Sequence, residues 1–384
     1  MPVSVGLIAQ VIEKIAPKFW AEEWDNVGLL VGEVSMPVER VLLTLDGTRE
    51  VIEEAKERKV QLIIAHHPIL FKPLKNLRSD NLAAQVPIQL LKEGIAYYAA
   101  HTNLDQSLYS ASWTLGKALG LGKMELLAPT ASENLVKLSV FVPRTHLEAV
   151  RQALVKVGVG EGITEGPHGN FYAESFFSGE GIGMFRPLPG AEPSIGKIGE
   201  LTRAEEAKLE SILPERLVDR AVKALRNAHP YEEPSFDLIS LRNPGRPRGY
   251  GVVGYLQEPE PLVNVVDQVK MSLEKLNSPL RQIAPYRLAS GSKQIIRKIA
   301  IVNGSGGSFI SKALFKGVDL LITGDVDHHG ALDALEAGMA VLDIGHFASE
   351  VPMVMTLAEH LRQEKSLAGI EILTSEKMHS PWNV

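Results

Sequence analysis

Six of the eleven histidines, His66, His67, His101, His328, His329 and His346, stand at or just beyond the ends of short apolar runs. The clearest case is QLIIAHHPILFK, Gln61–Lys72, where Leu62–Ala65 stops at two adjacent imidazoles and a proline. A short apolar run bounded by a breaker reads as a buried strand of a parallel sheet. Ligands of open α/β sheets sit just outside the carboxyl ends of such strands, which makes these histidines candidates for one rim. Neighbouring residues of a regular strand point to opposite faces, so His66 and His67 are expected to serve different ions of a two-metal site. Asp105, four residues past His101 in HTNLD, adds a carboxylate. His346 and Glu350, in GHFASE, have the i, i+4 spacing that puts two side chains on one helix face. Imidazole and carboxylate without thiolate suit divalent ions and do not choose among Zn²⁺, Mn²⁺ and Fe²⁺.

Three further stretches carry candidate chemistry. NGSGGS, Asn303–Ser308, is a strand–glycine loop–helix element. Its Gly304, Ser305, Gly306 and Gly307 are either a phosphate cradle or a tight turn that needs glycines; the Lys-Ser/Thr of a P-loop is missing. HPYEEP, His229–Pro234, reads as a structural turn or an intersubunit contact rather than a catalytic site. WDNVGLLVG, Trp24–Gly32, reads as a structural turn entering a strand.

The elements that must position these residues alternate. Helix Val3–Ala16 is followed by strand Val41–Asp46, helix Thr48–Arg58, strand Gln61–His67, helix Asn81–Glu93, strand Ala96–Ala100 and helix Ser112–Leu119. Such alternation predicts a layered α/β unit with a largely parallel sheet. The rhythm then changes to strand Leu138–Val142, helix Thr145–Val157, a glycine-rich connection Gly158–Gly169, strands Phe171–Phe177 and Lys197–Thr202, helix Pro214–Ala228 and strand Phe236–Leu241. That β-α-β-β-α-β order is ferredoxin-like. After the Pro/Gly/Arg linker Arg242–Arg248 the first rhythm resumes. Helix Val263–Leu276, strand Lys298–Asn303, helix Phe309–Lys316 and strands Leu320–Thr323 and Val341–Ile344 follow. The expectation is a split α/β domain, residues 1–130 and 246–384, with an α+β domain, residues 131–245, inserted between its halves.

Size and composition bound the rest. A chain of 384 residues is too long for one ordinary core. An apolar fraction of 45% and a charged fraction of 22% are those of a soluble globular protein. A net charge of −6 and a pI near 6.0 argue against nucleic acid as a partner. No apolar span reaches membrane length, and the N-terminal stretch, short in apolar run and interrupted by Glu13, does not read as a signal peptide. The absence of cysteine excludes disulfides and thiolate ligands and fits a reducing cytoplasm.

The segments WDNVGLLVG, the LD of TLDGT, AHHPILF, AAHTNLD, NGSGG, TGDVDHH and GHFASE together resemble the Nif-three-like dinuclear metal-centre family, whose members carry the name GTP cyclohydrolase 1 type 2 homologue. The insert, with HPYEEPSFDL, resembles the CutA- or PII-like domain of the longer bacterial members. The resemblance implies two divalent ions, zinc first, held by His66, His67, Asp105, His346 and Glu350, with Glu350 bridging. It implies that His101, Asp325 and His329 lie near the site, as neighbours of the ligands or as substrate contacts. It also implies a toroidal homohexamer. The expected function is metal-dependent hydrolysis of a nucleotide-like or phosphorylated small molecule, with Asp325 or His329 moving a proton. The competing expectation is a non-catalytic metal-binding or regulatory assembly.

Overall fold

The computed structural model describes residues 3–162, 165–166, 169–170, 172–276 and 286–382. The chain forms two compact units, Met1–Pro129 with Gly249–Val384, and Thr130–Arg248.

The first half of the larger unit runs α1 (Val5–Ile15), β1 (Gly28–Val31), β2 (Arg40–Thr44), α2 (Arg49–Glu57), β3 (Leu62–Ala65), α3 (Leu82–Glu93), β4 (Ala96–Ala99), α4 (Thr102–Asp105), α5 (Ala111–Ala118) and β5 (Gly122–Ser132). The inserted unit contains β6 (Leu135–Pro143), α6 (Leu147–Val155), a two-residue pairing of β7 (Glu165–Gly166) with β8 (Gly169–Asn170), β9 (Phe177–Phe185), β10 (Thr202–Pro214), α7 (Val218–Ala228) and β11 (Phe236–Leu241). The chain then continues through β12 (Pro247–Pro261), α8 (Leu262–Leu276), β13 (Arg287–Ala289), β14 (Ile295–Ser305) and α9 (Ile310–Phe315). It ends with β15 (Leu320–Gly324), α10 (His328–Glu336), β16 (Ala340–Asp343), α11 (His346–Gln363) and β17 (Glu371–Thr374).

The larger unit holds two sheets, ordered β1-β4-β3-β2-β17 and β13-β16-β15-β14-β12-β5. In the first, β17, β2, β3 and β4 run parallel and β1 antiparallel. In the second, β14, β15 and β16 run parallel. Side chains alternate across each strand. Val41, Leu43, Leu62 and Ile64 join α1 and α11 in one core, while Leu42 and Ile63 join α2 and α3 in another. The second sheet does the same, with α5 and α8 on one face and α9 and α10 on the other. Helix α11 touches β2 and β17 of one sheet and β14 and β15 of the other. That position explains why Phe347–Val354 is buried without interruption and why its pattern lacks a polar face.

The insert is a four-stranded antiparallel sheet ordered β11-β6-β10-β9, the ferredoxin-like arrangement, with α6 and α7 sharing its core. Here the expected strands need correction. Tyr172–Phe176 carry no regular structure, Phe171 lies outside the described residues, and the strand is Phe177–Phe185. Lys197–Leu201 is likewise irregular, the strand starting at Thr202. Glycine at alternate positions of β9 hides its strand character, because glycine is depleted from strands. Strands β5 and β12 also escape sequence reading: Pro129 sits in an edge strand, where a missing N–H does no harm, and β12 carries prolines at both ends. Among the described residues no helix is long and apolar enough to cross a membrane.

Ile64, on β3 two residues before the histidine pair, is 1% exposed. Ile64→Ala is expected to cost about 2–4 kcal/mol. All four tryptophans lie in the larger unit, so tryptophan fluorescence during urea unfolding isolates its transition. A loss below about 1 kcal/mol would contradict a packed layer at this position.

Candidate metal centre

The carboxyl ends of β3, β4, β14, β15 and β16 deliver the site, β14 through its last residues and the others through residues that follow the strand. His66 and His67 follow β3 directly, and Pro68 comes after them. His101 caps the single-turn helix α4, whose last residue is Asp105. His346 opens α11, and Glu350 stands one turn further along it.

In every site histidine the ring is held by Nδ1 and presents Nε2. His66 Nδ1 lies 2.8 Å from the Ala100 carbonyl, and His67 Nδ1 lies 2.8 Å from Asp46 Oδ1. His101 Nδ1 is 3.0 Å from Asp25 Oδ1, and His346 Nδ1 is 2.6 Å from Asp325 Oδ2. An oxygen acceptor at Nδ1 fixes the tautomer with its proton there and leaves Nε2 as a lone-pair donor. The ligand atoms of His66, His67 and His101 lie within 4.8 Å of one another, as do those of His67, His346 and Glu350. Glu350 Oε1 is 3.2 Å from His346 Nε2 and 3.7 Å from His66 Nε2, and its Oε2 is 3.2 Å from His67 Nε2. Asp105 Oδ1 is 3.7 Å from His66 Nε2. Yet His66 Nε2 and Glu350 Oε2 are fully buried without an aligned hydrogen-bond partner.

Neighbouring polar groups aim the carboxylates. Asn303 Nδ2 donates to Asp105 Oδ1 at 2.7 Å, and the Asn303 amide is oriented by Ser112, whose hydroxyl donates to Oδ1 at 2.6 Å. Ser349 Oγ accepts from Gly304 N at 2.8 Å and donates to the His346 carbonyl at 2.7 Å, tying β14 to α11. Gly304 has φ +66°, and a Cβ there would lie 2.5 Å from Glu350 Oε1. The glycine makes room for the carboxylate.

The electrostatics follow from this packing. Burial works against ionisation of Glu350, but His66, His346 and His67 hold its carboxyl well below the usual range. Burial raises Asp105, with the nearby Glu350 charge adding to the effect. Burial also opposes a charge on His67, yet Asp46 and Glu350 push it up to about 10. For His346 the hydrogen bond to Glu350 dominates and the value rises to about 9. Asp25 is held at about 2, against its burial, by His101 and Thr102.

The site opens into a cleft of about 850 Å³ walled by Trp24, Ile69, Phe71, Tyr250 and Phe309. A second cleft of about 650 Å³, on which Arg287, Asp325 and Trp382 border, also reaches Asp46, His67 and His346. Tyr250 Oη donates to Glu22 Oε1 at 2.7 Å on the wall of the first.

Of the residues singled out in the sequence, His66, His67, Asp105, His346 and Glu350 come together. His101 joins them more intimately than a neighbour of the ligands would, its ring centroid 4.9 Å from that of His66. Asp325 stands behind His346 as its Nδ1 acceptor. His329 is not brought in: it is exposed on the first turn of α10, its ring against His328. The phosphate-cradle reading of Gly304–Gly307 also needs correction. Gly304 N is engaged by Ser349 and Gly306 N by the Gly324 carbonyl, and α9 has only six residues. Asp25, Asp46 and Asn303 were missed as site residues. Lone polar residues at strand ends resemble turn formers, and Asp25 had been assigned to a structural turn.

A family model described as Duf34/NIF3 (NGG1p interacting factor 3) matches residues 3–381. A Halalkalibacterium halodurans protein named GTP cyclohydrolase 1 type 2 homolog is 39% identical over 344 residues, 90% of this chain and 88% of that one. The Bacillus subtilis protein of the same name is 38% identical over 377 residues, 98% of this chain and 97% of its own. The crystal structure of a Bacillus cereus protein related to NIF3 superposes with a TM-score of 0.85 at 36% identity, with 100% of both chains covered. With the family model matched over residues 3–381 and relatives 38–39% identical along nearly their whole length, the chain belongs to the Duf34/NIF3 family.

Proposed function

We propose that this protein holds two divalent metal ions and acts as a metal-dependent hydrolase of a small molecule. The observation that carries the proposal is the pair of buried, unpartnered ligand atoms, His66 Nε2 and Glu350 Oε2. Leaving such groups unsatisfied in a protein interior is costly, and a cation satisfies both at once. The donor set fits: four imidazoles presented by Nε2, two carboxylates and no thiolate suit zinc, manganese or iron. His66, His67, Asp105, His346 and Glu350 would hold the ions, with His101 as a further donor and Glu350 between them. Bound there, such ions supply Lewis acidity for the attack of water on a carbonyl or phosphoryl group.

The chain's own residues divide the remaining work. Asp46, Asp25 and Asp325 keep their histidines in the Nδ1–H tautomer. This favours a positioning role for Asp325 over a proton-moving one, and Glu22, beside the Tyr250 hydroxyl, is the better-placed carboxylate for proton transfer. Exposed Trp24 and Phe71 offer stacking faces for a planar ring. No lysine or arginine is among the residues lining that cleft, so a phosphoryl group there would depend on the ions for its charge. A nucleotide-like or phosphorylated molecule remains the substrate class to test first, in keeping with the name the relatives carry. On the family resemblance we take the assembly to be a homohexamer and its compartment the cytoplasm.

Metal-loaded protein is to be assayed against nucleotides, phosphoesters and cyclic amides. His67→Ala is expected to lower turnover by about a hundredfold or more. Turnover that survives this change, or none with any substrate while metal remains exchangeable, refutes the hydrolase and favours the non-catalytic metal-binding assembly. Protein purified without added metal should contain about two ions per chain by elemental analysis. Glu350→Gln and Gly304→Ala should each bring that figure below about one; an unchanged content would remove Glu350 from the site.

Protons must leave for a metal to enter. At pH 7.5 the metal-free His67 and His346, raised to about 10 and about 9, are protonated, whereas a metal takes the neutral ring. Metal binding should therefore release about two protons and tighten as pH rises toward 9. Calorimetric titration in buffers of different ionisation enthalpy measures this, and a heat independent of buffer would disprove it.

A further inference from the structure

The inserted unit carries a cleft of about 970 Å³ of its own. Its floor is made by β9, where Gly179, Gly181 and Gly183 alternate and so clear one face of the strand. Glu206 of β10 pairs with Gly181 in register and shares that face. Its carboxylate lies against the chain at Gly183, where a Cβ would overlap Oε2.

Glu206 is 7% exposed, and among the described residues no lysine or arginine pairs with its side chain. Its one polar side-chain neighbour on this face is the buried Tyr231 hydroxyl, which leans on the carboxylate without good alignment. The cations of the lining are occupied elsewhere: Arg186 donates to the Gly199 carbonyl at 2.5 Å, and Lys208 pairs with Glu210 at 2.5 Å. A buried carboxylate with no cation beside it is costly to maintain. Tyr231 is not placed by chance either. His229 Nε2 donates to the Phe141 carbonyl at 2.9 Å, and its Nδ1 accepts from Tyr231 N at 3.1 Å. HPYEEP thus fixes a phenol opposite an acid.

We propose that this cleft binds an organic cation, a primary ammonium on an apolar body, with the ammonium between Glu206 and the Tyr231 hydroxyl. An ammonium carries three donors and no acceptor, which matches one carboxylate and one phenol oxygen. Phe141 and Phe177 line the same cleft and suit the apolar body. A divalent metal fits less well. Both His229 nitrogens are engaged, Glu180 pairs with Arg144, and Glu232 accepts from Glu192 N, which leaves too few oxygens for a hard cation.

Full-length protein is to be titrated calorimetrically with benzylamine and putrescine, with hexanoate as the anionic control. Benzylamine is expected to bind and hexanoate not. Glu206→Gln, which keeps the shape and removes the charge, should weaken the amine by about tenfold or more. Tyr231→Phe, which keeps the ring, should give a smaller loss, and both variants should retain the metal content of the wild type. The proposal falls if the wild type binds neither amine at about 10 mM. It falls equally if Glu206→Gln binds as the wild type does. Should Glu206→Gln instead change the oligomeric state by sedimentation, with no amine bound by the wild type, the buried carboxylate belongs to an interface between copies.

Discussion

A carboxylate that is 3% exposed, Glu350, sets the terms for the rest of the larger unit. An acid so deep in the protein stays ionised only if positive charge is close on several sides. Three imidazoles supply it, and they come from two sheets: His66 and His67 from the end of β3, His346 from the end of β16. Meeting this need requires α11 to start between the sheets, where Phe347–Val354 are buried. It also requires β14 to pass close by, which only a residue without a side chain at position 304 allows.

The layer behind the imidazoles is as consistent as the imidazoles themselves. Three aspartates and a carbonyl take the Nδ1 protons, so every ring faces inward by the same nitrogen. Two of these acids, with Glu350, are also what raise His67 and His346 above the ordinary imidazole range. The surrounding carboxylates favour positive charge at this one place.

The sequence was legible where burial leaves a simple mark. Strands β2, β3, β4, β15 and β16 are short apolar runs ended by polar breakers, and they stand close to where their patterns put them. The clustered histidines were legible for the same reason, since a run of buried residues that stops at an imidazole is rarely accidental at several strand ends. Legibility failed where geometry matters more than polarity. Strand β9 escaped because every second residue is glycine. At Gly304 two needs looked alike in the sequence, free amides or a turn built on glycine, and neither pointed to the absent Cβ that makes room for Glu350. Asp25 and Asp46 carry no signal, because an acid that orients a histidine looks like an acid that faces water. His329 had the right residue type and the right neighbourhood in sequence, but the first turn of α10 points it outward.

Asp46, His67 and His346 border both clefts of the larger unit. The site is therefore a partition with a face on each side, rather than the closed end of a pit. The same three side chains are reached from either cleft, so filling one leaves the other open. Both openings have aromatic residues on their walls, Trp24, Phe71 and Phe309 in one and Phe347 and Trp382 in the other, but an arginine, Arg287, borders the second alone.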